Sequence, residues 1–230
     1  MMNRLTTKHS VLVLGILVIS GIAASCSTVQ TATTPDFEEF KLHHQTIAII
    51  PFDVTVNNDA YKKVFLRWFS EQELELRAKR QEEHFRRALF TQLSLSQQAG
   101  RFTVEFQNID ETQTLLERAA ERDGTRKDLS SLSKSEICEI LNVDAIITGS
   151  MTVIRLRSPV AQVRWRLGLG WGENDRTNIS MSIHESETGK LLWNYDHTLK
   201  GHVIFADSQN LAKSLNSRIP GIVRNFPYEN

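Results

Sequence analysis

Two short stretches of continuously apolar residues constrain the fold of this chain more than any other feature. The first is TIAII at residues 46–50, and the second is AII at residues 145–147, within a strand pattern that extends to residue 154. Continuous apolar runs of this kind are typical of strands that are buried on both faces of a sheet. Pro51 follows the first run and lacks an amide hydrogen, so we expect that strand to end there. The sequence therefore predicts a sheet that is flanked by helices.

Helical periodicity follows the first strand, from about residue 58 to residue 98. Glu73 with Arg77 and Glu75 with Lys79 are acidic-first pairs that favour an exposed helix face. A break into two helices near Ser70 is the alternative to one long helix. Large apolar side chains recur at a spacing of four, which places them on one helix face. They are Val64 and Trp68, Phe65 and Phe69, and then Phe85, Leu89 and Leu93.

Two further helices are predicted from their opening residues. Asp110 with Gln113 and Ser133 with Glu136 match a pattern in which a capping side chain and the residue three positions later exchange hydrogen bonds with free backbone amides. The second of these helices carries Cys138 on its apolar face, so this thiol is predicted to be a small core residue. A nucleophilic thiol needs a base and an electropositive, partly exposed setting, and the sequence suggests no base nearby.

Strand patterns dominate the C-terminal half. A short alternating strand follows Gly100, and from residue 145 onward several strands form an antiparallel meander with a turn at residues 186–190. A closing helix from about Asp207 includes Ile219, and Pro220 is expected to end it. The predicted fold class is therefore α/β (α+β), with a mixed sheet flanked by helices, a C-terminal antiparallel meander and a closing helix, all in one domain over residues 46–230.

One strand of the meander, residues 163–171, has two unusual faces. Arg164, Arg166 and two glycines lie on one face. If the strand is an ordinary half-buried one, the apolar face packs on a helix and the arginines meet solvent. If instead the ribbon projects from the domain, the apolar residues bind a partner or the membrane interface, because tryptophan and arginine are enriched at binding hot spots. The candidate partner-binding residues are Trp165, Leu167, Leu169 and Trp171.

The N-terminus has the pattern of a secretory signal peptide. Arg4 and Lys8 precede an apolar run at residues 11–19, which is too short to span a membrane. Small residues then lead to Cys26 and resemble the lipobox of bacterial lipoproteins, although Ala23 stands where many lipoboxes carry a larger aliphatic residue. We therefore predict cleavage of residues 1–25 and acylation of Cys26. An ordinary signal peptide followed by a chance cysteine is the alternative.

Residues 26–45 are polar and rich in threonine, and we predict that they form a lipidated cysteine followed by a flexible, solvated tether. His43 and His44 are adjacent in this segment, and a metal site there would need further ligands. The acyl chains are the predicted membrane attachment. Ser27 follows the lipidated cysteine, and in many double-membraned bacteria an aspartate at that place favours the inner membrane. We therefore expect outer-membrane attachment facing the periplasm.

The charge balance and the cysteine count argue against nucleic acid as a partner and against a disulfide within the chain. The chain has 27 basic and 27 acidic side chains, and removal of residues 1–25 takes Arg4 and Lys8 with it and leaves 25 against 27. This balance does not favour nucleic acid as a partner. Because Cys26 is assigned to the lipid, Cys138 has no partner left for a disulfide.

No residue pattern in the chain predicts catalysis. The glycine-rich stretch 168–172 does not lead from a buried strand into a helix, as a phosphate cradle requires. The hairpin separates His184 from His197, so no metal site is expected. Glu185 and Glu187 flank a turn, and both are expected to be exposed to solvent. We predict no catalytic residue, no metal and no cofactor.

The order of elements resembles a periplasmic domain shared by three groups of envelope proteins. The residues that carry the resemblance are the strand at 47–52, the run NVDAIITGS at 142–150 and the hairpin TGKLLW at 188–193. The groups are the curli-secretion (CsgG-like) lipoproteins, the TolB amino-terminal domain and the penicillin-binding-protein activator lipoproteins. Curli-type pores carry two membrane-inserting hairpins per subunit, and the helical, charged stretch 110–143 leaves no room here for the first.

The resemblance implies a docking and assembly module without catalysis. We accordingly predict a lipid-anchored periplasmic protein that acts as a non-enzymatic interaction and assembly factor, with an envelope protein or a second copy of itself as its partner. The alternatives are a subunit of a CsgG-like secretion pore, an activator of a peptidoglycan synthase, and an enzyme.

Overall fold

The structure is a computed structural model that describes residues 29–57, 71–121, 131–154, 176–200 and 217–230. Helices and short strands are interspersed along the first part of the chain, and three strands of ten residues follow. In chain order the elements are β1 (Val29–Thr33), α1 (Phe37–Lys41), β2 (Thr46–Ile49), β3 (Asp53–Asn57), α2 (Glu71–Gln98), β4 (Glu105–Phe106), α3 (Ile109–Glu121), α4 (Lys134–Leu141), β5 (Ala145–Ile154), β6 (Arg176–Glu185), β7 (Leu191–Lys200) and α5 (Ile219–Arg224).

Within the described residues, the strands form one mixed sheet in the order β1-β7-β6-β5-β2-β4, and β3 also pairs with β5. The pairs of β5 with β2 and β3 are parallel, as is the pair of β2 with β4. The pairs β1–β7, β5–β6 and β6–β7 are antiparallel. The predicted mixed sheet and the C-terminal antiparallel strands are confirmed. The strand predicted at residues 163–171 lies outside the described residues.

Strands β2 and β3 follow the same side of β5 and are separated by a break at Pro51. The Ile50 amide still donates to the Ile147 carbonyl at 3.1 Å, whereas the Phe52 amide donates to the Glu82 side chain at 3.1 Å. A Cβ atom on Gly149 would lie only 2.6 Å from the Phe52 ring, so glycine is required where this ring crosses β5. The strand therefore ends at Pro51 as predicted, and the sequence did not indicate that pairing resumes two residues later.

The sheet is covered by helices on both faces, as its apolar runs predicted. On one face, α2 and α5 pack on the strands and bury an aromatic-rich core around Trp193 and Tyr195. On the other face, α3 and α4 cover a smaller cluster around Ile146 and Ala48. Helix α2 contributes its four-spaced side chains, which are at most 1% exposed. These are Phe85, Leu89 and Leu93.

The two predicted helix openings have different outcomes. Ser133 and Glu136 form the predicted reciprocal cap at the start of α4. Asp110 does not cap α3, because this helix begins at Ile109 and the Asn108 side chain accepts the Asp110 amide at 2.8 Å. The Asp110 carboxylate instead pairs with Arg87 of α2 at 2.7 Å.

The closing helix differs from the prediction around Pro220. This proline lies in the first turn of α5 rather than at the end of a helix. Proline is tolerated there because the first amides of a helix have no intrahelical acceptor and the ring fixes a helical φ. Ile219, which was expected in the last turn of the closing helix, is therefore at the start of α5, where it is 1% exposed. Residues 207–216 of the predicted helix lie outside the described part of the chain.

Residues 29–45 are not the solvated tether that the sequence predicted. Strand β1 pairs with β7 along all five of its residues, and α1 buries the Phe37 ring. The segment lacks a hydrophobic signal because every residue of β1 is exposed, so backbone hydrogen bonds rather than side-chain burial place it in the sheet. The described domain thus already includes Val29, seventeen residues before the predicted boundary at residue 46.

Candidate functional site

The outer edge of β1 is the principal candidate for an interaction surface. The Thr34 amide donates to the Leu192 carbonyl at 2.9 Å, which fixes which residues of the strand are bonded to β7. Because hydrogen-bonded and non-bonded pairs alternate in an antiparallel ladder, Val29, Thr31 and Thr33 direct their amide and carbonyl groups away from β7. Within the residues that the structure describes, no other strand pairs with this edge, so these groups can bond to an additional strand.

The β1 edge lacks the devices that usually protect an exposed strand. Its sequence is VQTAT, with no charge and no proline, and its register with β7 shows no bulge. Natural edge strands are commonly blunted by lysine, proline, a bulge or a covering helix. The opposite side of the sheet is different, since β4 is two residues long and α2 packs along β3. The β1 edge is thus the more open of the two.

The segment after β1 is held to the domain by buried contacts. The Phe37 ring is 1% exposed and lies edge-on to Tyr228, with a centroid distance of 5.1 Å. Asp36 forms an ion pair with Lys190 in the hairpin turn. His44 is also buried, and its Nδ1 atom shares a hydrogen bond of 2.6 Å with the Tyr228 hydroxyl.

This histidine therefore does not belong to a solvated linker, as the sequence predicted. Burial lowers the pKa of His44, so its ring is neutral at pH 7. Burial also raises the pKa of Tyr228 far above its ordinary value. The pair is a neutral, buried hydrogen bond that ties α1 to the C-terminus, while the neighbouring His43 is exposed.

The sheet has two ends, which we call the anchor pole and the distal pole. The anchor pole is the end where β3 and β5 finish, β6 begins and β7 finishes, and it is defined by Asn57, Ile154, Arg176 and Lys200, which are successive register partners. The distal pole is the opposite end, defined by Asp144, the start of α4 and the hairpin turn at residues 186–190. Val29 begins β1 on the anchor side, and α1 follows on the distal side.

Glu185 organises the hairpin turn at the distal pole. It is 1% exposed, which corrects the expectation that it faces solvent. Its carboxylate accepts hydrogen bonds from the Glu187, Thr188 and Lys190 amides and from the Thr188 hydroxyl. Burial by itself would raise the pKa of this carboxyl, but the hydrogen bonds outweigh it and the pKa is lowered. Gly189 completes the turn with a φ of +72°.

The distal pole also contains a polar cleft of about 600 Å³, lined among others by Gln45, Glu136, Glu139, Asp144 and Glu187. Two of its carboxylates have structural partners. Asp144 accepts the Gln45 and Thr46 amides at 2.8 Å, and Glu136 belongs to the cap of α4. The cleft lies at the amino ends of the parallel strands β2 and β5, whereas open α/β sheets bind ligands beyond the carboxyl ends.

Cys138 adjoins this cleft but is not reactive. Its side chain is 1% exposed, as expected for a core residue. Burial, with the nearby Glu185 and Asp144 carboxylates, raises the pKa of the thiol to about 12. The thiol is therefore protonated at pH 7, and a protonated thiol is a poor nucleophile.

The histidines of the meander do not meet. The register places His184 opposite Leu191 and His197 opposite Ile179. Across the residues that the structure describes, no group of three or more histidine, cysteine or acidic side chains is arranged to hold a metal ion. In the same part of the chain, no helix has the length and apolarity needed to cross a membrane.

The predicted site residues Cys26, Trp165, Leu167, Leu169 and Trp171 lie outside the described residues. Their described neighbours are nevertheless informative. Cys26 precedes Val29 by three residues, and the stretch that contains the two tryptophans leaves the sheet at Ile154 and returns at Arg176. Both of these stretches therefore leave the described domain on the side of the anchor pole.

Sequence reasoning missed the β1 edge, the buried Glu185 and the His44–Tyr228 pair. The alternation of valine and threonine at residues 29–33 is a weak strand signal, because β-branched residues favour strands. Glu185 lies directly before the turn, and the backbone amides of the turn residues can donate hydrogen bonds to its carboxylate. The partners His44 and Tyr228 are 184 residues apart, and no local pattern links them.

Comparisons with known proteins complete the description of the site. No protein-family model matches the chain, and no curated protein matches it. Among solved structures, the chain is similar to the PelC dodecamer from Paraburkholderia phytofirmans, with 10% identity, a TM-score of 0.39 and coverage of 88% of this chain and 100% of that chain. It is also similar to the lipoprotein GNA1162 from Neisseria meningitidis, with 11% identity, a TM-score of 0.34 and coverage of 79% and 99%.

These neighbours include a bacterial lipoprotein, and they do not identify the curli-secretion group. At such identities and TM-scores, they assign neither a function nor an assembly state to this chain.

Proposed function

We propose that the chain is a lipid-anchored lipoprotein of the bacterial cell envelope that assembles with a protein partner through the outer edge of β1. The observation that supports this proposal is the edge itself: an uncharged, five-residue strand with a free backbone ladder, which begins three residues after the cysteine that we expect to be acylated. An added strand uses main-chain hydrogen bonds for affinity and alternate side chains for specificity. The partner accordingly contributes an extended segment.

The proposed role is non-enzymatic. An active site requires a pocket in which polar groups converge and their ionisation is shifted for catalysis. The carboxylates with lowered or raised pKa values in the described residues have structural roles, such as Glu185 in the hairpin turn and Glu82 beneath Phe52. The Cys138 thiol is protonated. Binding at the sheet edge is the function that these residues support best. In this proposal, the anchor lies in the outer membrane and the domain lies in the periplasm.

The lipid anchor is tested by metabolic labelling with a fatty-acid analogue in the native host. We expect label on the wild-type protein and none on Cys26→Ala, because the acylated thioether forms only at that residue. Cys138→Ala is the matched control and should label like the wild type. Equal labelling of Cys26→Ala and the wild type would contradict the proposal.

The edge is tested with a proline that removes one outward amide. Thr31 directs its amide away from β7, so Thr31→Pro blocks an added strand and leaves the ladder with β7 intact. Thr31→Val is the control that keeps the amide. With a photo-crosslinking residue at the exposed Gln30, we expect adducts in cells for the wild type and Thr31→Val and a strong loss for Thr31→Pro. Unchanged adducts with Thr31→Pro would exclude the edge as the binding surface.

A further inference from the structure

We propose that the strand that binds the β1 edge is β1 of a second copy of this chain. The two strands pair antiparallel about a two-fold axis at Thr31, so that the sheets of the two copies join into one. This inference rests on the proposed function, because it names the partner of the same edge.

The hydrogen-bonding pattern of β1 is complementary to itself. Val29, Thr31 and Thr33 direct their amide and carbonyl groups outward, because the Thr34 amide is bonded to the Leu192 carbonyl and bonded pairs alternate along the ladder. When the two Thr31 residues lie opposite each other, Val29 lies opposite Thr33 of the second copy, so outward residues meet only outward residues. Each such pair exchanges two hydrogen bonds, and the β1–β1 interface therefore contains about six.

The side chains of β1 fit this register on the first face of the sheet. The ladder with β7 places Thr31 opposite Tyr195, and the side chains of Val29 and Thr33 lie on the same face as that of Thr31, because side chains alternate along a strand. In the dimer, the two Thr31 side chains meet on the axis, and Val29 lies beside Thr33 of the second copy. Pairs of threonines and of β-branched residues are favourable across strands.

On the second face, a long side chain meets a short one. Gln30 lies opposite Asp196 in the ladder with β7. Ala32 lies opposite Asn194, whose side chain accepts a hydrogen bond of 2.9 Å from Ser182. The two-fold axis places Gln30 opposite Ala32 of the second copy, where the small alanine leaves room for the glutamine amide. The polar row of β6 and β7 thus continues into the second copy.

Charge does not oppose the interface. The sequence VQTAT contains no ionisable side chain, and all five side chains are exposed. Like charges, which destabilise a sheet when they lie directly opposite each other, are therefore absent from the paired strands. Within the described residues, the sheet ends on its other side at β4, which is only two residues long. A two-fold contact is closed, so association through β1 stops at two copies.

The length of β1 limits the strength of the interface. Stable soluble interfaces use about 20–30 residues on each side, whereas β1 has five residues. The interface is therefore weak between freely diffusing copies. It forms where copies share one membrane, because attachment raises their effective concentration, and acylation of Cys26 supplies that attachment.

The dimer is tested by disulfide crosslinking of the full-length protein in the native host, after a thiol oxidant is added to intact cells. Thr31→Cys places two thiols on the axis, with Cα atoms about 5.5 Å apart, which a disulfide can bridge. Val29→Cys and Thr33→Cys are matched controls, because each lies about 13 Å from its own counterpart. We expect several-fold more dimer from Thr31→Cys than from either control. The unsubstituted protein sets the background from Cys26 and Cys138.

Co-expression of two differently tagged variants tests the register. Val29→Cys and Thr33→Cys, which should crosslink poorly alone, should together form a mixed disulfide about as abundant as the Thr31→Cys dimer, because residues 29 and 33 lie opposite each other. Gln30→Cys with Ala32→Cys repeats the test at a non-bonded pair, where the Cα atoms are only about 4.5 Å apart. This second pair keeps the test valid if the bonded pairs are poorly oriented for a disulfide.

The outcomes separate the two proposals. Equal dimer yields from cysteines at residues 29, 31 and 33 would indicate random collision and overturn the two-fold interface. The second copy is also wrong if no variant or pair exceeds the background while the photo-crosslinker at Gln30 captures a different protein that Thr31→Pro releases; the proposed function then stands. If no disulfide and no photo-adduct forms, both proposals fail.

Discussion

The distal and anchor poles of the sheet are built from different kinds of contact. At the distal pole, carboxylates bind backbone amides: Glu185 binds the amides of its own hairpin turn, and Asp144 binds the amides of Gln45 and Thr46, which are 99 and 98 residues away in sequence. At the anchor pole, the described strands β3, β5 and β7 end and β6 begins, and the described residues provide a row of register partners. The difference indicates that side-chain hydrogen bonds stabilise the distal pole, while the β1 edge is the surface that the described residues leave for binding.

The largest difference in stability is expected between a variant in the core of β7 and a variant at the start of β1. Trp193 is 2% exposed and packs against Tyr195 and Phe226. Trp193→Ala should lower the free energy of unfolding by about 3–5 kcal/mol, because it leaves a large cavity. Val29 is 43% exposed, so Val29→Ala is the control and should change stability by less than about 0.5 kcal/mol. Denaturant unfolding measures both, and similar losses would contradict the contrast between these regions.

Glu185 tests the distal pole directly. Glu185→Gln replaces a charged acceptor of four hydrogen bonds by a neutral amide, and hydrogen bonds to a charged group contribute about 1.5–3 kcal/mol. We therefore expect a loss of about 2 kcal/mol in thermal or denaturant unfolding. Glu187→Gln is the matched control on an exposed side chain and should be nearly neutral. If the two variants unfold alike, the buried carboxylate does not stabilise the turn.

The same carboxyl predicts a pH dependence. Its pKa is lowered in the folded protein from an ordinary value of 4.5, so the folded state favours the ionised form. The stabilisation is fully present above about pH 4.5 and is lost as the pH falls through the lower folded pKa. Unfolding free energies measured from pH 6 downward should fall less steeply for Glu185→Gln than for the wild type. A steeper fall in the variant would show that the sign is wrong.

A smaller effect is expected where the C-terminus meets α1. Tyr228→Phe keeps the ring contact with Phe37 and removes only the hydroxyl that binds His44 Nδ1. A buried nitrogen without its partner costs about 1–3 kcal/mol, and we expect the lower end because the His44 ring is neutral. Unfolding followed by tryptophan fluorescence measures the loss. His43→Ala, on the neighbouring exposed side chain, should leave stability unchanged, and an equal effect of both variants would remove the hydrogen bond as the cause.

The smallest change in stability is expected at the β1 edge. Thr31→Pro removes an outward amide and should alter the free energy of unfolding by about 0.5 kcal/mol or less. Ala32→Pro removes an amide from the ladder with β7 and should cost more than Thr31→Pro. Thermal unfolding of these two variants, at neighbouring residues, shows which backbone amides of β1 are bonded to β7. The reverse order would mean that the hydrogen-bonding alternation of β1 is assigned to the wrong residues.

The features that sequence predicted well are those with a local physical signal. The apolar runs at residues 46–50 and 145–147 predicted the buried centre of the sheet, and Ser133 with Glu136 predicted the cap of α4. Strand β1 has no apolar face, and its place depends on a ladder with residues that follow much later in the chain. The burial of Glu185 and His44 likewise depends on tertiary neighbours. Local sequence patterns therefore did not predict the β1 edge, which is the main candidate site.

The pairing of β1 with β7 has a consequence for the order of folding. Val29 has no partner in β7 until the chain has been synthesised as far as His197, and contacts between residues this far apart in sequence carry a large loop-closure cost. Strand β1 is therefore the first strand of the described domain to be made and among the last to be paired. If Cys26 is acylated as we propose, this topology gives the interval before β1 closes onto β7 as the time in which that modification has the freest access.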